Sequence, residues 1–208
     1  MSGPMLFSDS YFTIANSSEG ALKEKGSKFL SFAFAVNSEE EIKEQLRRLK
    51  KQHPSASHHC YAWQLGAGKQ ACRANDDGEP ANSAGKPILS QIQARDLTNI
   101  MVVVVRYFGG TLLGVGGLIN AYKQATQTAL NNAEVVERFI LFQYKVVFNF
   151  NETNSVMRVL KEQEAKIISN QYDQINTIIF EIKKQNSEKM EKKFHELYNC
   201  KLEFLKLC

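Results

Sequence analysis

The sequence predicts an α+β protein built from two domains. Three observations carry this. A β-branched run, Ile100–Val105, sits between segments with helical spacing, which marks a buried strand in a mixed sheet. The last third of the chain alternates strand and helix patterns in the order β-α-β-β-α-β. The length, 208 residues, exceeds what one average domain needs and suits two small ones, placed at residues 1–135 and 136–208.

In the first half, Tyr11–Ala15 and Phe29–Val36 cluster apolar residues as strands do. Ser38 then opens a helix with a capping box closed by Glu41. Glu39–Glu41 suit the positive end of its dipole, and Arg47, Arg48, Lys50 and Lys51 suit the negative end. Ile42, Leu46 and Leu49 form its apolar stripe, and Pro54 ends it. The charges read as a solvated helix face. Cys60–Gln64 is the next strand, followed by a turn-rich stretch through Gly66–Pro80, with Ser83 available to cap a helix. After Ile100–Val105 comes a glycine-rich loop and a helix running to about Asn132.

In the second half, Ile140–Phe150 is strand-like, and Asn154 can cap a helix carrying Val156, Met157, Val159 and Leu160. Lys166–Ser169 and Thr177–Ile182 pair as a hairpin around Asp173 and Asn176. Ser187 caps a helix with Met190, Phe194, Leu197 and Tyr198 on one side, and Leu202–Leu207 closes with alternating polarity. This is the split βαβ, or ferredoxin-like, plan. Asn131–Glu137 is the expected boundary between the domains.

Composition narrows the function classes. Hydrophobic residues make up 43% and charged residues 23%, so the chain is not disordered. No apolar stretch is long enough to span a membrane, and the first seven residues lack a basic region and apolar core, so a cytoplasmic address is expected. The net charge is +4, shared evenly between the halves, and no basic tail exists. Cys60, Cys72, Cys200 and Cys208 form no CxxC pair and read as reduced thiols; no metal or cofactor is expected.

Three segments could carry chemistry. In Arg106–Gly117, the glycines Gly109, Gly110, Gly114, Gly116 and Gly117 lie between a buried strand and a helix. Such a loop aims free N–H groups at an anion, or serves as a tight turn with close helix packing. The Walker and dinucleotide spacings are both absent. Gly109 and Gly110 should turn the chain, with the helix starting near Val115–Gly117. Asp76, Asp77 and Glu79 place three carboxylates in four residues, as acids, bases and cation ligands or as an acidic turn. His58-His59-Cys60 puts His58 and Cys60 on one face of a strand and His59 on the other. Metal binding or a Cys60 nucleophile would need partners that the spacing does not supply. Trp63, Tyr61, Tyr107 and Phe108 could stack on bases or fill the core.

These segments resemble the YigZ/IMPACT proteins, the UPF0029 group. The resemblance rests on Gly26–Phe29, His59–Ala62, Asp76–Pro80 followed by Ala84–Pro87, and Val103–Gly110 with Leu113, Gly114 and Gly116–Leu118. Ser83 departs from the threonine expected before Ala84 but keeps the hydroxyl. The resemblance implies an N-terminal β/α fold like domain 2 of a small-subunit ribosomal protein, shaped like the GHMP kinases. It implies a C-terminal domain like the last, ferredoxin-like domain of elongation factor G. Eukaryotic members regulate translation initiation.

The expected function is therefore a non-enzymatic protein that binds RNA, the ribosome or a translation factor. Its candidate contacts are His59, Asp76, Asp77, Glu79, Lys86, Arg106, Tyr107, Phe108 and the five loop glycines, with Lys145, Lys166, Lys183 and Lys184 as the basic residues of the second domain. Arg106 either clamps an external anion or pairs internally with Asp76, Asp77 or Glu79. The rival is an enzyme acting on a small phosphorylated or acylated metabolite, in a cleft formed by His59, Asp76–Glu79 and Gly109–Gly117.

Overall fold

A computed structural model describes residues 9–173 and 175–207. The N-terminal heptapeptide and Cys208, read above for targeting and redox state, lie outside the described residues. Backbone contacts divide the chain into a unit at Tyr11–Arg138 and a unit at Phe139–Cys208 that also takes in residues 9 and 10. Each has its own apolar core.

The first unit runs β1 (Ser10–Ile14), β2 (Ser18–Glu24), β3 (Ser27–Ala35), α1 (Glu39–Gln52), β4 (His58–Leu65), β5 (Ala71–Asn75), α2 (Gly85–Ala94), β6 (Ile100–Tyr107), α3 (Gly114–Asn131) and β7 (Val135–Phe139). Its main sheet has the order β2-β3-β6-β4-β5 with every neighbouring pair antiparallel, and β1 pairs with β7 separately. Strand alternation explains the unbroken apolar run of β6. Ile100, Val102 and Val104 pack under α2 and α3, while Met101, Val103 and Val105 pack under α1. A central strand covered on both faces has no polar side to show.

The capping box of α1 forms as expected: the Glu41 amide donates to Ser38 Oγ, and the Asn37 amide donates to Glu41. The start of α2 differs. Ser83 donates to the Pro80 carbonyl, and the amides of Ala84 and Gly85 instead donate to Asp76 Oδ1 from several residues upstream. Three strands also run where the sequence signals none: β2 mixes small and charged residues, β5 lies within the stretch read as turns, and β7 overlaps the segment expected to be the domain boundary.

The second unit runs β8 (Leu141–Phe148), a 3-10 turn, α4 (Thr153–Glu162), β9 (Lys166–Gln171), β10 (Asn176–Lys183), α5 (Lys184–His195) and β11 (Cys200–Leu207). These strands form a four-stranded antiparallel sheet of order β11-β8-β10-β9. Tyr144, Val146, Phe148, Ile178, Phe180 and Ile182 meet Val156, Leu160, Met190 and Phe194 of the helices in the core. Both helices start before their expected caps. α4 opens without a side-chain cap ahead of Asn154, and Ser187 sits inside α5, donating to the Lys184 carbonyl. Tyr198, expected on the buried side of α5, lies beyond its end and is exposed.

Candidate functional site

The residues singled out by sequence separate into a cleft, a set of structural ties, and the far face of the first sheet. The cleft, about 450 Å³, opens where the start of β4, the acidic turn after β5, the end of β6 and the start of α3 come together. Glu79 and Arg106 form its polar floor; Phe108, Leu112, Val115 and Leu118 form its apolar wall.

Arg106 lies within β6, with the parity of Val102 and Val104, so its side chain enters the α2–α3 side of the sheet. There its Nη1 donates to Glu79 Oε1 at 2.6 Å, and both side chains are nearly fully buried. The Tyr122 hydroxyl donates to the same oxygen at 2.7 Å. The guanidinium lies over two rings, Phe29 at 5.5 Å and Phe108 at 5.6 Å. Internal pairing is therefore the outcome for Arg106, because a buried arginine and a buried carboxylate each need the other.

Of the three carboxylates, only Glu79 reaches the cleft. Asp76 is consumed by backbone amides: Oδ2 accepts from Asn82, and Oδ1 accepts from Ala84 and Gly85. Asp77 accepts from the His59 amide at 2.7 Å and faces Lys50 at 3.6 Å. No group of three or more His, Cys, Asp or Glu residues suited to a metal occurs among the described residues.

The histidine of the cleft is His58 rather than His59. Strand alternation decides this: His58 shares its face with buried Cys60, and His59 faces the α1 side. His58 Nδ1 donates to the Asp77 carbonyl at 2.8 Å, and its Nε2 stands 3.9 Å from Glu79 Oε1. His59 is buried, and desolvation lowers its pKa even though Asp77 pulls the other way. Cys60 is fully buried, and that burial pushes its thiol up to about 12, so it is no nucleophile. Tyr107 also faces the α1 side, its hydroxyl 2.9 Å from His53 Nδ1, and Lys86 is exposed on α2 outside the cleft.

The glycines have different tasks. At Gly109 a Cβ would lie 1.9 Å from the Gly26 carbonyl carbon, so this position closes the β6 end against the β2–β3 turn. Gly110 and Gly114 have φ of +85° and +72°, and α3 starts at Gly114 without a side-chain cap. At Gly116 a Cβ would meet nothing.

A second surface lies on the second sheet. Alternation and register put Lys145, Lys166, Lys183, Lys201 and Lys206 on the face turned away from α4 and α5, with Glu181 and Glu203 the acidic residues between them. Lys184, grouped with these lysines in the sequence, belongs to α5 instead and pairs with Asp9 at 3.8 Å. Sequence reasoning named His58 but chose His59 as the candidate contact, and it missed Tyr122, Lys201 and Lys206. The parity of His58 with Cys60 could have decided for His58; nothing local marks Tyr122.

Residues 25–130 match the model of the Impact N-terminal domain. The chain is 41% identical to the IMPACT family member YvyE of Bacillus subtilis over 132 residues, 64% of this chain and 61% of that protein, which is under two thirds of its length. It is 35% identical to the IMPACT family member YigZ of Escherichia coli over 150 residues, 71% of this chain and 74% of that protein. A crystal structure of a hypothetical protein is 28% identical with TM-score 0.76, covering 96% of this chain and 99% of that one.

Proposed function

The chain belongs to the IMPACT family, and from that premise we propose that it is a non-catalytic RNA-binding protein acting on the translation apparatus. The observation that carries this reading is the lysine face of the second sheet. Five lysines against two glutamates on one sheet face make a surface that attracts a phosphate backbone. The family resemblance implies a role in regulating translation, and the relatives include the Protein IMPACT homolog of Saccharomyces cerevisiae, 37% identical over 98 residues.

The order β11-β8-β10-β9 with two helices on one face supports a ferredoxin-like reading of the second unit, similar to the last domain of elongation factor G. The ribosomal-protein-like reading of the first unit rests on the family resemblance alone. Fold analogy adds weight to the lysine face and does not replace it. No helix among the described residues is long and apolar enough to cross a membrane.

Convergence of His58, Glu79 and Arg106 in one cleft favours a second reading, as an enzyme. Against it, Glu79 already accepts two internal donors, Asp76 and Asp77 hold backbone amides, and Cys60 is buried. The cleft is better suited to holding a molecule than to transforming one. Co-sedimentation with ribosomes at low salt tests the leading reading. The wild type should pellet with them, and Lys145→Glu combined with Lys201→Glu should stay in solution. Equal pelleting of both would remove the lysine face from the account.

A further inference from the structure

We propose that the cleft of the first unit binds a small carboxylic acid with an apolar body. The inference goes beyond RNA binding and uses a different surface. Three observations point to it.

First, the floor has a donor without an acceptor. Arg106 is 5% exposed, its Nη1 is taken by Glu79, and its Nη2 reaches Ser27 Oγ only at 3.4 Å. Its Nε, buried, has no hydrogen-bond partner. A guanidinium presents Nε–H and an Nη–H as a parallel fork that matches the two oxygens of a carboxylate. An unpaired buried donor costs free energy that such a ligand would recover.

Second, the start of α3 adds donors to the same cleft. This helix is 18 residues long, and its first residues, Gly114 and Val115, line the cavity with no side-chain cap on their amides. Free N–H groups and the helix dipole both favour an anion there.

Third, the remaining wall is apolar and accessible. Leu112 is 84% exposed and Val115 54%, although both border the cavity. A volume of about 450 Å³ falls in the range of small-ligand sites. A phosphate would want further cations, and the charge of the one arginine lining the cleft is already balanced by Glu79, which leaves only its free donors and the α3 amides to hold an anion. One negative charge on an aliphatic body fits the donors and the wall together. Of the two rings on the guanidinium, Phe29 is fully buried, whereas Phe108 is half exposed and precedes Gly109 and Gly110. Phe108 is the ring that gives way as the carboxylate enters.

The test is titration of the full chain with 4-methylpentanoate, followed by the amide shifts of Gly114 and Val115 and by calorimetry. The acid should shift both amides, and 4-methylpentanamide should bind about tenfold more weakly or worse, since it loses the charge-assisted bonds. Leu112→Asp, at an exposed position, should keep the melting temperature and weaken the acid by a similar factor. Equal binding of acid and amide overturns the proposal, as does the absence of any shift. Inorganic phosphate shifting the same amides as strongly would overturn the carboxylate assignment. A decapeptide ending in leucine that outcompetes the acid tenfold would give the cleft to a polypeptide terminus instead. None of these outcomes depends on RNA binding by the second sheet.

Discussion

Arg106 and Glu79, 27 residues apart in sequence, meet at 2.6 Å with both side chains nearly fully buried. Their contact ties the end of β6 to the acidic turn after β5. Tyr122 brings α3 into the same knot through Glu79 Oε1. Removing one partner strands a buried charge, which is costlier than never having had the pair.

Arg106→Ala should therefore destabilise the protein by about 3–5 kcal/mol, read from urea unfolding. RNA binding per folded molecule should stay at the wild-type level, because the arginine lies in the first unit and the lysine face in the second. Lost RNA binding at unchanged stability would make Arg106 an RNA contact and contradict this account.

Asp76→Ala should cost about 1–2 kcal/mol or more, the scale of a lost helix cap, because three backbone amides lose their acceptor. Ser83→Ala should cost less, since its hydroxyl only donates to the Pro80 carbonyl. Comparison of the two midpoints in urea checks the assignment of the cap.

Two glycines of one motif should respond in opposite directions. Gly109→Ala drives a Cβ into the Gly26 backbone, so it should destabilise. Gly116→Ala meets open space in the first turn of α3 and should stabilise by roughly 0.5–1 kcal/mol. Thermal melts of the two variants suffice.

These contrasts mark how far the sequence could be read. The β6 run, the α1 capping box and the strand-helix order of the second unit were legible, because periodicity and local capping are written in neighbouring residues. Strand β2 was not, since its alternation involves small and charged side chains and its place is set by pairing with β3. The cap of α2 was misread for the same reason: Asp76 reaches it across a turn, beyond the range of a capping rule. His59 was expected in the cleft and His58 occupies that place, although the parity that decides between them was already visible. The lysine face needed the register, which no single strand reveals.

Stability should fall as the medium is acidified below about pH 6.5. Burial holds the His59 pKa below its ordinary 6.5, so the unfolded chain takes up a proton there before the folded one does. The stabilisation is fully present above 6.5 and is lost as the pH falls from there towards the lowered folded value. His59→Gln should flatten this limb in a series of urea midpoints against pH.

The most direct test is the salt dependence of binding to a labelled single-stranded RNA, measured by fluorescence anisotropy. Five lysines offset by Glu181, Glu203 and Glu164, the last 3.9 Å from Lys183, leave a net of +2 at the face. Neutralising that many phosphates gives a slope of log K against log salt of about −1.4 for a single strand. Lys145→Glu with Lys201→Glu should abolish the binding. A wild type that fails to bind RNA at low salt, or a slope the double variant leaves unchanged, would contradict the account.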